Sequence, residues 1–249
     1  LCGKTSTSML SGETIVGDDI AYLRNIDGVI HAVNPENGIF GIIQGVNSVD
    51  DPLIWDALHS PGEVIFSNVL ITEEKGVHWI GKDEEEPERG FHHSGEWTPG
   101  KRDEDDNLIS LSHPNARFTL DMRLLATVDP ELNNPEGVLV GGIIYGGRDS
   151  DTKVPVEESF DWVHGVIIMG AALESETTAA TLGKEGVRKI NPMSNLDFLS
   201  IPIGRYIECY LDFGAKLNNP PPIFSVNYFL RDTEGNYTND KTDKTVINS

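Results

Sequence analysis

The chain has 249 residues, 38% of them hydrophobic, which is enough to bury a sizeable core and too apolar for a disordered segment. Forty acidic against nineteen basic residues give a net charge of -21, which excludes nucleic acid and anionic membrane surfaces as partners and otherwise reads as a solvated acidic surface. These residues hold no apolar run of about 18 and no basic-then-apolar leader, and Cys2 and Cys209 are too few for a disulfide framework. The expectation is a soluble chain of a reducing compartment, the cytoplasm.

Leu1-Cys2-Gly3-Lys4-Thr5-Ser6 reads as the tail of the phosphate-binding motif G-x-x-x-x-G-K-S/T, its first glycine falling before Leu1. The expectation is therefore a piece that starts inside its own phosphate loop and is truncated at both ends. Consecutive N–H groups at a helix N-terminus cradle phosphate oxygens, a lysine neutralises the terminal phosphates, and a hydroxyl ligates the nucleotide's magnesium. Any Gly-Lys-Thr tripeptide matches this tail, so other positions must support it.

A helix is expected after Lys4-Thr5, then a strand over Glu13–Val16 leading to the adjacent carboxylates Asp18 and Asp19. Carboxylates at a strand end beside a phosphate loop suit hard divalent ions; an exposed Asp-Asp turn closing a hairpin is the plain alternative. Short apolar runs punctuated by Gly, Pro, Asn and Asp predict further strands over Val29–Val33, Gly38–Ile43, Glu63–Ile71, Val138–Tyr145, Val163–Met169 and Ile223–Phe229. Helical spacing predicts helices over Asp51–His59, Glu174–Leu182 and Ile203–Leu217, Ser175 or its predecessors capping the second. From Gly81 to Asn107 the chain turns polar and aperiodic, which predicts a long surface insertion within a single α/β unit spanning residues 1–249. His92-His93, adjacent histidines in that stretch, read as solvated loop residues rather than a metal pair, since adjacent side chains point apart and lack a third ligand at usable spacing.

Several collinear motifs resemble one family. Cys2–Ser6, Val16-Gly17-Asp18-Asp19-Ile20-Ala21 and Asn34-Pro35-Glu36-Asn37-Gly38-Ile39-Phe40-Gly41 are followed by His113-Pro114-Asn115-Ala116-Arg117-Phe118 and Ile143-Ile144-Tyr145-Gly146-Gly147-Arg148. Asp161-Trp162-Val163-His164-Gly165, Glu174–Ala180 and Ile223-Phe224-Ser225-Val226-Asn227-Tyr228-Phe229 complete the series. Together they look like the nucleotide and metal core of GTP-dependent phosphoenolpyruvate carboxykinase, in its archaeal branch. The resemblance implies an α/β fold with a phosphate-loop-containing, mixed-sheet nucleotide-binding core.

It also implies conversion of oxaloacetate and GTP to phosphoenolpyruvate, CO2 and GDP by a monomer, with Mn2+ at the substrate site and Mg2+ or Mn2+ on the nucleotide. Leu1 to Ser6 would bind nucleotide, Cys2 being the family's reactive cysteine, Lys4 a charge stabiliser and Thr5 a metal ligand. Asp19 would ligate Mn2+ with Asp18 beside it. Arg117 and Arg148 would contact the transferred phosphoryl group, and Asn115 substrate and nucleotide. Phe40, Tyr228, Phe229 and Tyr237 would surround guanine. Ser6 departs from the asparagine of many relatives, Tyr228 stands where many have tryptophan, and Asn239–Thr242 replaces a Pro-Gly-Phe-Gly segment at the far wall of the base pocket. An ATP-dependent carboxykinase, a GTPase and a nucleotide-binding piece without catalysis are the alternative readings. Without the family, the arginines read as surface residues and Phe40 as plain core.

Overall fold

The computed structural model describes residues 7–10, 12–176, 190–227, 229–236 and 238. In chain order the main elements are β1 (Tyr22–Ile26), β2 (Val29–Val33), β3 (Gly38–Ile42), α1 (Pro52–His59), β4 (Val64–Ser67), β5 (Leu70–Thr72), β6 (Val77–His78), β7 (Gly90–His92), β8 (Gly95–Trp97), β9 (Arg117–Asp121), β10 (Val138–Leu139) and β11 (Ile143–Gly146). They continue with β12 (Val156–Glu158), α2 (Trp162–His164) running into a π-helical segment Gly165–Ala171, β13 (Ser175–Glu176), β14 (Ile190–Asn191), α3 (Ile203–Gly214) and β15 (Ile223–Val226). The result is a mixed α/β fold of several small sheets. Contacts gather it into two compact units, one formed by Gly12–Asp19 and Glu36–Asp129, the other by Ile20–Pro35 with the described residues before Ser11 and from Pro130 onward.

In the first unit β9 is the middle strand of the antiparallel sheet β3-β9-β4. Strict alternation puts Ile39, Phe118 and Leu120, each 1% exposed, on its core face, and Phe40, Ile65, Arg117 and Thr119 on the other. Gly41 is required on the core side: a Cβ there would lie 2.5 Å from the Phe118 ring. The run Glu63–Ile71, expected as one strand, is two strands in two sheets. Asn68 breaks it with φ of 60°, a left-handed conformation that asparagine tolerates better than most residues. Of the strand expected over Glu13–Val16 only Ile15 pairs, as a single parallel bridge to Val128.

The polar stretch 81–107 is more ordered than its composition suggests. It contains the β7–β8 hairpin, which completes the sheet β6-β5-β7-β8 and plants Trp97, its indole N–H on the Ile109 carbonyl at 2.9 Å, against Leu70 and Leu111. One apolar anchor with a satisfied N–H suffices to order a hairpin whose other positions are charged.

In the second unit β1 and β2 form a hairpin through Asp27-Gly28, both at positive φ, as two-residue turns require. The expected strand Val138–Tyr145 is split by Gly141-Gly142: β10 joins β2, whereas β11 runs parallel to β15 in the sheet β11-β15-β12. Val163–Met169 is helical, which corrects the expected strand. Asp161 caps the turn by accepting the His164 N–H at 2.7 Å, and Trp162, Val166 and Met169 fall at helical spacing onto Ile143, Ile223 and α3. An unbroken apolar run cannot distinguish a buried strand from a buried helix, and packing onto the sheet decided it. The helix expected over Glu174–Leu182 instead has Ser175–Glu176 paired with Ile190–Asn191; its remaining residues lie outside the described ones. The helix expected over Ile203–Leu217 is present as α3.

Candidate functional site

The phosphate-loop residues Leu1, Cys2, Gly3, Lys4, Thr5 and Ser6, and the aromatics Tyr228 and Tyr237, lie outside the described residues. Of the helix expected behind the loop, Thr7 and Ser8 are helical. The remaining site residues fall in both units.

In the first unit, Asp18 and Asp19 occupy a bend three and four residues after the Ile15 bridge, Asp18 half-buried and Asp19 exposed. Their hard oxygen donors suit Mg2+ or Mn2+ as part of a ligand set. Among the described residues no group of three or more His, Cys, Asp or Glu is assembled to hold an ion by itself.

Arg117 opens β9 on the open face of its sheet. Its Nε donates to Asn115 Oδ1 at 2.7 Å, and its guanidinium carbon stands 5.1 Å from the Phe40 ring centroid. Phe40 faces Thr119 across β3–β9, two residue pairs from Arg117 and so on the same face, and strand register alone brings ring and cation together. Phe40 is 60% exposed, which removes the plain-core alternative. The turn before Arg117 is held by His113: its Nδ1 accepts the Asn115 N–H at 2.9 Å, its carbonyl accepts the Ala116 N–H at 2.8 Å, and its own N–H donates to the Asn68 carbonyl at 3.1 Å. The sequence motif contained His113 but gave it no role. A polar side chain two residues before the amide it serves is the local signal that identifies it.

His113 meets the polar insertion. The His93 ring stands edge-on to it at 5.0 Å, and His92 stacks on His93 at 4.7 Å. His92 is buried and its Nδ1 accepts the Ser94 N–H at 3.0 Å, so the expectation of a solvated loop fails for this residue. Burial, and secondarily the His93 ring, push the His92 imidazole below its usual range; burial and then His113 do the same to His93.

In the second unit, Arg148 follows β11 and lays its guanidinium 4.0 Å over the ring of Phe229, which is buried. Ser175 and Glu176 grip the Arg148 main chain: its N–H donates to Ser175 Oγ at 3.1 Å and its carbonyl accepts the Glu176 N–H at 2.8 Å. Glu176 Oε1 also accepts from both the N–H and the hydroxyl of Ser150. Burial pushes the Asp149 carboxyl upward, but hydrogen bonds from Thr152, Asp151 and Lys153 outweigh it and hold the group below the ordinary carboxylate range. Arg117 and Arg148 thus each lie over an aromatic ring that the family resemblance assigns to the base pocket. The planar N–H groups of a guanidinium match anionic oxygens in parallel pairs.

Among the described residues no helix is long and apolar enough to cross a membrane. Residues 1–242 match the family described as "Phosphoenolpyruvate carboxykinase C-terminal P-loop domain". Among curated proteins the chain is similar to the phosphoenolpyruvate carboxykinase (GTP) of Pyrococcus horikoshii, 60% identical over 247 residues that make up 99% of this chain and 40% of that protein. The protein of that name from Saccharolobus solfataricus is 49% identical, covering 98% of this chain and 39% of the relative. That from Anaeromyxobacter sp. (strain K) is 38% identical, covering 95% and 40%. The chain therefore spans about 40% of the length of the curated relatives it matches. With collinear motifs and a family match over 242 of its 249 residues, the chain belongs to the phosphoenolpyruvate carboxykinase C-terminal P-loop domain family.

Proposed function

We propose that this chain carries the nucleotide-binding and phosphoryl-transfer half of a GTP-dependent phosphoenolpyruvate carboxykinase, which converts oxaloacetate and GTP to phosphoenolpyruvate, CO2 and GDP. The observation that carries the reading is the mounting of the two arginines within the family's motifs. Arg117 is tied to Asn115 and Arg148 is gripped by Ser175 and Glu176, and each guanidinium lies over a ring.

The chemical demand is charge. Loss of CO2 leaves an enolate, whose oxygen must approach a triphosphate in line, and two anions repel. Arg117 and Arg148 would each serve phosphoryl oxygens, and because both are held before substrate arrives, little reorganisation would be needed as charge shifts from the enolate oxygen to the leaving oxygen. Asn115 keeps its Nδ2 for substrate or nucleotide while its Oδ1 fixes Arg117. Lys4 would neutralise the terminal phosphates and the main-chain N–H groups of Leu1 to Ser6 would cradle them. Asp18, Asp19 and Thr5 would hold the divalent ions, which when bound supply further positive charge against enolate and triphosphate. Cys2 would order the loop without forming a covalent intermediate. Phe40, Tyr228, Phe229 and Tyr237 would define the guanine pocket. The protein would act as a cytoplasmic monomer on small anionic substrates.

The test is a coupled assay of the full-length protein with oxaloacetate, Mn2+ and either GTP or ATP. Turnover with GTP and little with ATP is expected. Turnover confined to ATP would move the assignment to the ATP-dependent enzymes, and none with either nucleotide would leave a binding role alone.

A further inference from the structure

Asn227 is fully buried at the end of β15, where its carboxamide meets main-chain groups of two segments. Its carboxamide has two N–H donors and one oxygen with two lone pairs, and all four capacities are used. Nδ2 donates to the Asp149 carbonyl at 2.9 Å and to the Lys153 carbonyl at 2.8 Å; Oδ1 accepts the Asp149 N–H at 3.2 Å and the Phe229 N–H at 3.1 Å. One side chain therefore binds both main-chain groups of Asp149, the residue after Arg148, and the amide of Phe229, whose ring Arg148 overlies.

Around it, the Asp149 carboxylate accepts the N–H groups of Asp151 and Thr152 at 2.8 Å each and the Thr152 hydroxyl at 2.7 Å, closing the loop that Asn227 anchors. From the other side Ser175 and Glu176 hold the main chain of Arg148 itself. Removing the carboxamide would leave the buried carbonyl of Asp149 and the partly buried carbonyl of Lys153 without this donor, and would free the arginine-bearing loop and the phenylalanine to move independently. A side chain of equal size without the amide could fill the space but could not register the two segments against each other.

We propose that Asn227 is a positioning residue: by holding Asp149 and Phe229 together it sets the Arg148 guanidinium at its place over the Phe229 ring, and so fixes the direction in which that arginine meets the nucleotide. The consequence for turnover rests on the carboxykinase reading; the clamp itself does not. Asn227→Asp keeps the size and the acceptor oxygen but replaces the donor, facing two carbonyls with a second acceptor.

The test is a double-substitution cycle in the full-length protein, with Asn227→Asp in the wild-type and in the Arg148→Gln background, reading kcat and KM for GTP. In the wild-type background kcat/KM is expected to fall about 30-fold, a loss of the size a buried donor produces. With Arg148 already replaced, the further loss should be under about 3-fold, because a residue acting through Arg148 has nothing left to position. Equal losses in both backgrounds would show a purely structural role and overturn the proposal. Hydrogen exchange of residues 149–153 without ligand is measured beside it. Faster exchange in Asn227→Asp is expected, and unchanged exchange would overturn the clamp whether or not GTP is a substrate. Absence of GTP turnover in the wild type with faster exchange in the variant would reject the carboxykinase reading and retain the clamp. If Asn227→Asp does not fold, Asn227→Ser takes its place, keeping a hydroxyl but leaving the Asp149 and Lys153 carbonyls unserved.

Discussion

Arg148 and Phe229 are 81 positions apart in the chain, yet the guanidinium of one lies 4.0 Å over the ring of the other. A guanidinium over a ring face is held by the ring's negative quadrupole. Phe229→Leu keeps an apolar contact and removes the ring face. It should lower kcat/KM for GTP by about 2- to 30-fold, the worth of a cation–π contact of about 0.5–2 kcal/mol. Arg148→Lys should cost more, about 100-fold, because a point charge cannot replace the paired donors. Steady-state kinetics on both variants checks the order; a larger loss in Phe229→Leu would contradict it.

Asn115 is exposed and contributes little burial, but its oxygen orients Arg117. Asn115→Ala should leave the thermal midpoint within about 2 °C of wild type, as expected for a surface change, while kcat falls by about 10-fold or more. Comparing melting curves with turnover separates the two effects.

The imidazoles of His92 and His93 are both held below the usual histidine range, mainly by burial. Below about 6.5, the ordinary value, the unfolded chain takes up protons that these rings in the folded chain resist, so the stability linked to them is complete above that pH and is lost as pH falls through the folded values. His92→Asn keeps an oxygen for the Ser94 amide and cannot titrate. Its melting temperature should decline less than that of the wild type between pH 7.5 and about 5.5, and an identical decline would exclude His92 as a source.

Gly41 faces the buried Phe118 ring. Gly41→Ala should destabilise the protein by about 1–3 kcal/mol, since a ring packed on all sides cannot withdraw from a new methyl group. Urea unfolding measures it, and a neutral result would mean that the sheet β3-β9-β4 yields more readily than its packing implies.

The residue pattern alone carried much of this protein. The short apolar runs that became β2 and β3 and the spacing of α1 and α3 are local properties, written in residues close together in the chain. The family's motifs likewise kept their order, so Asp18, Asp19, Asn115, Arg117 and Arg148 could be named as candidates without coordinates.

Other features required partners distant in sequence. Val163–Met169 is helical because one of its faces meets Ile223 and α3, and no periodicity short of that contact separates it from a strand. His92 is buried because the insertion forms a hairpin on β5, although its neighbours in sequence are polar. The pairing of Arg117 with Phe40 is a matter of strand register, and that of Arg148 with Phe229 depends on the carboxamide of Asn227. Composition, turn chemistry and motif order are set by short-range physics that the sequence determined by itself. Which ring each arginine lies on, and which buried amide holds it there, was decided only when tertiary packing brought distant segments within hydrogen-bonding distance.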